Sequence, residues 1–355
     1  MEAASISARP TRAAPVAAAL RTFLSRYGLI IALLALPVVY GIHDLRVDHN
    51  LDHLGENLKD GVSNGAIWAL VAIGYTLVYG IIELINFAHG DVFMIGSFVS
   101  FSVWSSLGVG LATGSLGVIG GLVLAGLTAM VACGMLNLMI ERVAYRPLRG
   151  APKLAPLITA VGFSFILQNV GLEWLGGSTH GVDDLVRAQK VFFTVGGIHI
   201  THADVLAVAV TVPLVILLVS FVQGTRLGKA MRATAQDPEA ARLMGINVDT
   251  TISLTFLLGG LMAGAAGIIY ALYNTTIWYF QGFEAGLIAF TAAVMGGIGN
   301  IRGAVLGGII IGCIQQTSDD RISSTWTPAI VFAYLVLIMV FKPQGLLGEE
   351  TREAG

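Results

Sequence analysis

Three short polar stretches interrupt an otherwise apolar chain and hold the residue types able to bind or to dock. The first is Glu83-Leu-Ile-Asn-Phe-Ala-His-Gly-Asp91. One reading is a short turn between helices. The other is a broken helix: Gly90 lets the backbone leave helical geometry, and a helix restarting near Asp91 would point N–H groups into a cavity able to receive a carboxylate. Asn86 offers both a donor and an acceptor. Ionisable residues such as His89 and Asp91 between apolar segments are candidate functional groups.

The second stretch is Asn274-Thr-Thr-Ile-Trp-Tyr-Phe-Gln-Gly-Phe-Glu284. Trp278, Tyr279 and Phe280 suit an interfacial aromatic belt, and Glu284 suits the N-terminal end of a following helix. Both stretches occur in the order apolar helix, polar-aromatic break, Gly-rich apolar helix, which hints at an internal repeat. In the third stretch, 228–247, Asp237-Pro238-Glu239 reads as a helix start, with Asp as N-cap and Pro at the first helical position. Gly245 can close that helix in the left-handed conformation. The spacing predicts a helix over Pro238 to Met244. Its small apolar face, Ala240, Ala241, Leu243 and Met244, would fit a groove on another protein or lie against a bilayer.

Bond-making chemistry has little foothold. The histidines at 43, 49, 53, 89, 180, 199 and 202 show no His-Glu-x-x-His spacing. His43, His49 and His53 share one acidic loop and would bind a metal only by chance. Cys133 and Cys313 sit in apolar runs and fit neither a disulfide framework nor a metal site. No Gly-x-x-x-x-Gly-Lys-Ser/Thr occurs, so the chain has no ATP-cradling loop of that kind.

The elements that must position these stretches are membrane helices. Of 355 residues 55% are hydrophobic and 12% charged, which excludes a soluble enzyme. Lys+Arg 20 against Asp+Glu 22 leaves no basic excess for nucleic acid. A span needs about 20 apolar residues. Residues 92–140 carry no charged residue or His and suit two spans with a turn near Leu107–Ser115. Further uncharged runs are 27–42, 61–82, 154–172, 205–225, 250–283, 285–301, 303–318 and 322–341. The short pair around Arg302 reads as two spans or as a re-entrant pair. Strand-like alternation is absent. The expected fold is an all-α polytopic bundle of about 8–10 transmembrane helices.

Basic residues gather in the N-terminal arm (Arg9, Arg12, Arg21, Arg26) and in the loops 141–153 and 226–249. Acidic residues gather in 43–60 (Asp44, Asp48, Asp52, Glu56, Asp60). This alternation predicts both termini in the cytoplasm. Residues 1–42 could be read as a signal peptide, but the arm is long and no small-x-small site follows Val39, so an uncleaved first helix is expected. Gly299, Gly303 and Gly307, with Gly308 and Gly312, form small-xxx-small faces suited to close helix packing.

Glu239-Ala-Ala-x-x-x-Gly245 resembles the Glu-Ala-Ala loop of ABC importer permeases. More specifically, "INFAHGDVFMIGSF" from Ile85, "ERVAYRPLRGAPKLAPLITAVGFSFILQN" at 141–169, "GKAMRATAQDPEAARLMGIN" at 228–247, "FEAGLIAFTAAVMGGIGNIRGAVLGG" at 283–308 and "KPQGLLG" at 342–348 are similar to the branched-chain amino acid permease family of the LivH type. The resemblance implies a permease core over 58–348, preceded by an arm, a first helix and an acidic periplasmic loop over 1–57 and followed by a tail, 349–355. It implies a bacterial inner-membrane subunit that imports leucine, isoleucine and valine. Its implied partners are a second permease, two ATP-binding subunits and a periplasmic substrate-binding protein. No cofactor is expected on this chain, since ATP is used by the partner subunits. On this reading Asn86, His89, Asp91 and Glu284 belong to the substrate path, and Asp237, Glu239, Ala240, Ala241 and Gly245 to ATPase coupling. Urea or short-chain amides are the alternative cargo. A stand-alone channel or carrier is the rival of another class; it would leave the 238–244 helix without a role.

Overall fold

The computed structural model describes residues 28, 33–47, 49–110, 114–152 and 154–348. The basic N-terminal arm and the tail 349–355 lie outside the described residues. Continuous apolar sequence forms helices because only a helix satisfies its backbone groups within one segment in hydrocarbon. In chain order these are α1 (33–47), α2 (Asp52–Ile82), α3 (His89–Ser106), α4 (Ser115–Ile140), α5 (Leu154–Leu175), α6 (His202–Gly224), α7 (Arg226–Gln236), α8 (Pro238–Leu243), α9 (Val248–Asn274), α10 (Gln281–Gly296), α11 (Ile301–Ser318) and α12 (Thr327–Phe341). The chain is a polytopic all-α membrane protein. Among the described residues five segments are long and apolar enough by themselves to cross a bilayer: Asp52–Ile82, Ser115–Leu148, Leu154–Leu175, His202–Gly224 and Val248–Asn274. Strands are minor: β1 (His180–Gly181) pairs antiparallel with β4 (Thr276–Ile277), and β2 (Val191–Val195) with β3 (Ile198–Thr201).

Charge sorts the bundle into two ends. At one end Arg321 Nη2 lies 2.6 Å from Asp44, Asn57 donates to Asp320 at 2.9 Å, and Lys59 sits 3.1 Å from Asp204. At the other, Arg149 binds Asp249, and the backbone of Leu346 and Leu347 bonds to Met295 and Gly296. The described residues of 43–60 and 141–153 therefore lie at opposite ends, as their charges predict.

The uncharged run 250–283 is interrupted at its polar-aromatic stretch: α9 stops at Asn274, where Thr275 turns left-handed at φ 53°. The short pair resolves into α10 and α11, two antiparallel helices. α10 has 16 residues, about 24 Å at 1.5 Å per residue, less than the hydrocarbon thickness of roughly 30 Å. The glycine faces explain how this pair is held. Gly303 and Gly307 pack on Gly296 and Ala292 of α10, whereas Gly308 and Gly312 pack on α2, where a Cβ at Gly308 would fall 2.6 Å from Ala69 Cα. Between apolar helices in lipid, such backbone approach supplies the attraction that water-driven burial cannot.

The hinted repeat is present in the backbone. α2 ends on left-handed Glu83 (φ 52°) and α9 on left-handed Thr275 (φ 53°). Each is followed by a non-helical crossing and a new helix, α3 after Ala88 and α10 after Phe280. α2 begins at the acidic end and α9 at the basic end, so the two units are inverted. They meet at Gly90 and Gly282, whose backbones leave no room for a side chain on either.

The two-ended arrangement fixes a labelling result. Asn50→Cys should react with a membrane-impermeant thiol reagent from one side only, and Leu148→Cys and Gln236→Cys only from the other. Labelling of Asn50→Cys and Leu148→Cys from one side would contradict this fold.

Candidate functional site

The break after α2 folds back into the bundle. Glu83 N–H closes α2 on Tyr79 O at 2.8 Å, and His89 N–H donates to Asn86 O at 3.0 Å. The His89 ring fills a notch at Gly74, beside Gly259 O, where any side chain on residue 74 would overlap it. It stands edge-on to Tyr75, with ring centroids 4.9 Å apart. Gly74 precedes Ile82 by eight positions, about 12 Å along the helix, so α3 starts well inside the bundle rather than at its end.

Asn86 and Asp91 flank His89 and are each tied to another helix. Asn86 Nδ2 donates to Asn137 Oδ1 of α4 at 3.1 Å, and Asn137 Nδ2 donates to Phe256 O of α9 at 2.6 Å. Asp91 Oδ2 accepts from Ser164 Oγ of α5 at 2.5 Å, and Gln168 Nε2 donates to Ser164 at 3.0 Å. Asp91 Oδ1 faces the first turn of α10, 2.8 Å from where a Cβ on Gly282 would lie. A carboxylate is thus placed where two helix N-termini converge, each carrying a partial positive charge.

Asn86, His89 and Asp91 are therefore brought together, all fully buried. Glu284 belongs to the same junction but points away: it lies in the first turn of α10 and is exposed, beside exposed Phe283. Asn137, Tyr75, Ser164 and Gln168 complete the buried cluster and were not singled out in the sequence. Ser164-x-x-x-Gln168, two hydrogen-bonding residues one turn apart within an apolar run, was the available signal. Asn169 and Glu173 add polar groups to the exposed face of α5. Among the described residues no group of three or more His, Cys, Asp or Glu could hold a metal ion.

The third stretch forms as its residue types require. Asp237 accepts from the N–H groups of Glu239 and Ala240 at 2.9 Å each, Pro238 opens α8, and Gly245 is left-handed at φ 84°. The helix ends at Leu243, with Met244 as its C-cap. Its faces divide differently from the expected single patch. Ala241 turns inward and is buried, while Ala240, Leu243 and Met244 point outward, the last two 89% and 82% exposed.

A bundle with two inverted broken-helix units, and a short helix presenting apolar side chains at one end, defines a membrane permease. The profile described as branched-chain amino acid transport system / permease component matches residues 57–340, and the chain belongs to that family. It is 41% identical over 299 residues to the high-affinity branched-chain amino acid transport system permease protein LivH of Escherichia coli (strain K12), covering 82% of this chain and 95% of that protein. It is 39% identical over 300 residues to BraD of Pseudomonas aeruginosa, a protein of the same description, covering 83% and 96%. A more distant likeness, 28% over 203 residues, is to the fructose import permease protein FrcC of Rhizobium meliloti, covering 54% and 53%.

The Asn86–Asn137 bond carries a measurable consequence. Asn86→Ala and Asn137→Ala should each lower the thermal stability of the detergent-solubilised protein. Their effects should be non-additive by about 1 kcal/mol, because each breaks the same hydrogen bond and leaves the other amide without that partner. Additive losses would show that the amides act separately.

Proposed function

We propose that this chain is one of two transmembrane subunits of an ATP-driven importer of branched-chain amino acids. It would sit in a bacterial inner membrane with its basic end in the cytoplasm. The observation that carries this reading is α8: two large apolar side chains, Leu243 and Met244, stand exposed on a capped helix at the basic end of the bundle. Such a surface suits a groove on a partner, and here the partner is an ATP-binding subunit. The sequence contains no Gly-x-x-x-x-Gly-Lys-Ser/Thr loop, and on this reading energy arrives through contact with that subunit. A stand-alone carrier gives that helix nothing to do.

On this reading the cargo path runs along the outer side of the junction between the two broken units, where Glu284 is exposed, and Asn86, His89 and Asp91, buried one layer behind, set its shape. Asn169 and Glu173 on the outer face of α5 support the same side as the one covered by a second, related permease, because bare polar and charged groups are costly in lipid. A periplasmic binding protein would deliver leucine, isoleucine or valine to the acidic end. ATP binding would then shift the permease pair between inward- and outward-open states. The likeness to a sugar permease over half the chain makes cargo a separate question from mechanism, with urea or a short amide as the alternative.

Leu243→Asp should abolish co-purification of the ATP-binding subunits and leucine uptake while leaving the chain inserted. Gly245→Val should impair uptake as well, because a β-branched residue tolerates the left-handed conformation poorly. His89→Leu should lower uptake by about tenfold without loss of the ATP-binding subunits, as expected for about 1.4 kcal/mol. Wild-type uptake in Leu243→Asp would overturn the docking reading. Uptake of urea but not leucine by the wild-type complex would reassign the cargo.

A further inference from the structure

Docking at α8 moves cargo only if displacement there reaches the break at 83–91, and one continuous set of contacts joins them. α8 is short and firmly attached to α9: Ile246 N–H donates to Ala241 O at 3.0 Å, and Asn247 caps α9 by accepting from Thr250 N–H at 3.0 Å. Asp249, in the first turn of α9, binds Arg149. The other arm of the same guanidinium binds Glu141, whose side chain is fully buried. Glu141 also accepts from Ser253 Oγ at 2.7 Å, and Arg146 Nη2 donates to that hydroxyl at 3.0 Å. A buried carboxylate persists only with such partners, so this cluster resists separation.

Glu141 opens a single wide π turn, Glu141–Tyr145, at the end of α4. Insertions of this kind are rare and recur at functional sites. At its far end the Tyr145 hydroxyl donates to Ile85 O at 3.1 Å, inside the break and next to Asn86. The Tyr145 ring packs on Phe256 with centroids 5.1 Å apart. Asp249, Arg149, Glu141, Tyr145 and Ile85 thus form a connected series from the docking helix to the candidate path.

We propose that Arg149 is the positioning residue that transmits displacement of α8 to the 83–91 break, and that the Tyr145 hydroxyl delivers it. The proposal rests on the reading of α8 as the ATPase-docking helix. Neither residue touches cargo or nucleotide; each acts on the backbone that shapes the path. Arg149 reaches its two carboxylates through separate nitrogens of one planar fork, a spacing that the point-like ammonium of Lys would change.

The test uses the complete transporter, with both permeases, the ATP-binding subunits and the binding protein, in proteoliposomes. Uptake and ATP hydrolysis are read in one preparation. Tyr145→Phe removes one oxygen and keeps the ring on Phe256. It should lower leucine uptake roughly fivefold, the scale of one lost hydrogen bond, while hydrolysis stays within about twofold, so more ATP is spent per molecule imported. Arg149→Lys should give the same split. Parallel loss of uptake and hydrolysis in both variants would mark a purely structural role and overturn the proposal, as would unchanged uptake in both. Leu243→Asp separates the two readings. If it keeps its ATP-binding subunits, docking at α8 fails; if it loses them while Tyr145→Phe imports normally, only the transmission proposal fails.

Discussion

The Asp91 carboxylate, held between the first turns of α3 and α10, is the interaction on which the rest of the structure depends. Two helix N-termini brought together inside a bundle would repel through their partial positive charges. A carboxylate at that point offsets both, and Ser164 with Gln168 fixes its orientation from a third helix. Inside the bundle, the breaks at 83–88 and 275–280 keep their backbone groups out of hydrocarbon, where an unmet group costs several kcal/mol.

That junction is compatible with a membrane only because the surrounding helices come unusually close. Gly74 makes the notch for His89, Gly90 and Gly282 let the two units touch, and Gly308 and Gly312 seat α11 on α2. The abundance of glycine, 44 residues, therefore has a specific use. It lets two interrupted helices pack into one core, backbone against backbone. The same closeness makes small displacements consequential, because packed helices shift between discrete arrangements rather than deforming smoothly.

Charge was the most legible signal in the sequence. Counting basic and acidic residues placed 43–60 and 141–153 at opposite ends, and the Asp237-Pro238-Glu239 start with Gly245 gave α8 to within one residue. The glycine spacings at 303–312 gave two packing faces, each of which meets a different helix. Counting charges alone misses a break that carries none: Thr275 to Phe280 is uncharged, and only the polar-aromatic composition of 274–284 signalled the left-handed turn that ends α9 there. Charge counting also passes over Asn137, Ser164 and Gln168, which are uncharged but carry the hydrogen bonds of the buried cluster. The inward turn of Ala241 and the link from Arg149 to Tyr145 depend on contacts between distant segments, and no local pattern encodes them.

The central claim is that the junction of the two broken units lies on the cargo path and changes between transport states. Thiol accessibility at its exposed member tests this most directly. In the complete transporter, Glu284→Cys should react with a small water-soluble thiol reagent at different rates in the nucleotide-free and ATP-trapped states, and leucine should slow the reaction. Leu116→Cys, on the outer face of α4 and 88% exposed, should show neither effect. Equal rates at Glu284→Cys in both states, without protection by leucine, would contradict the account.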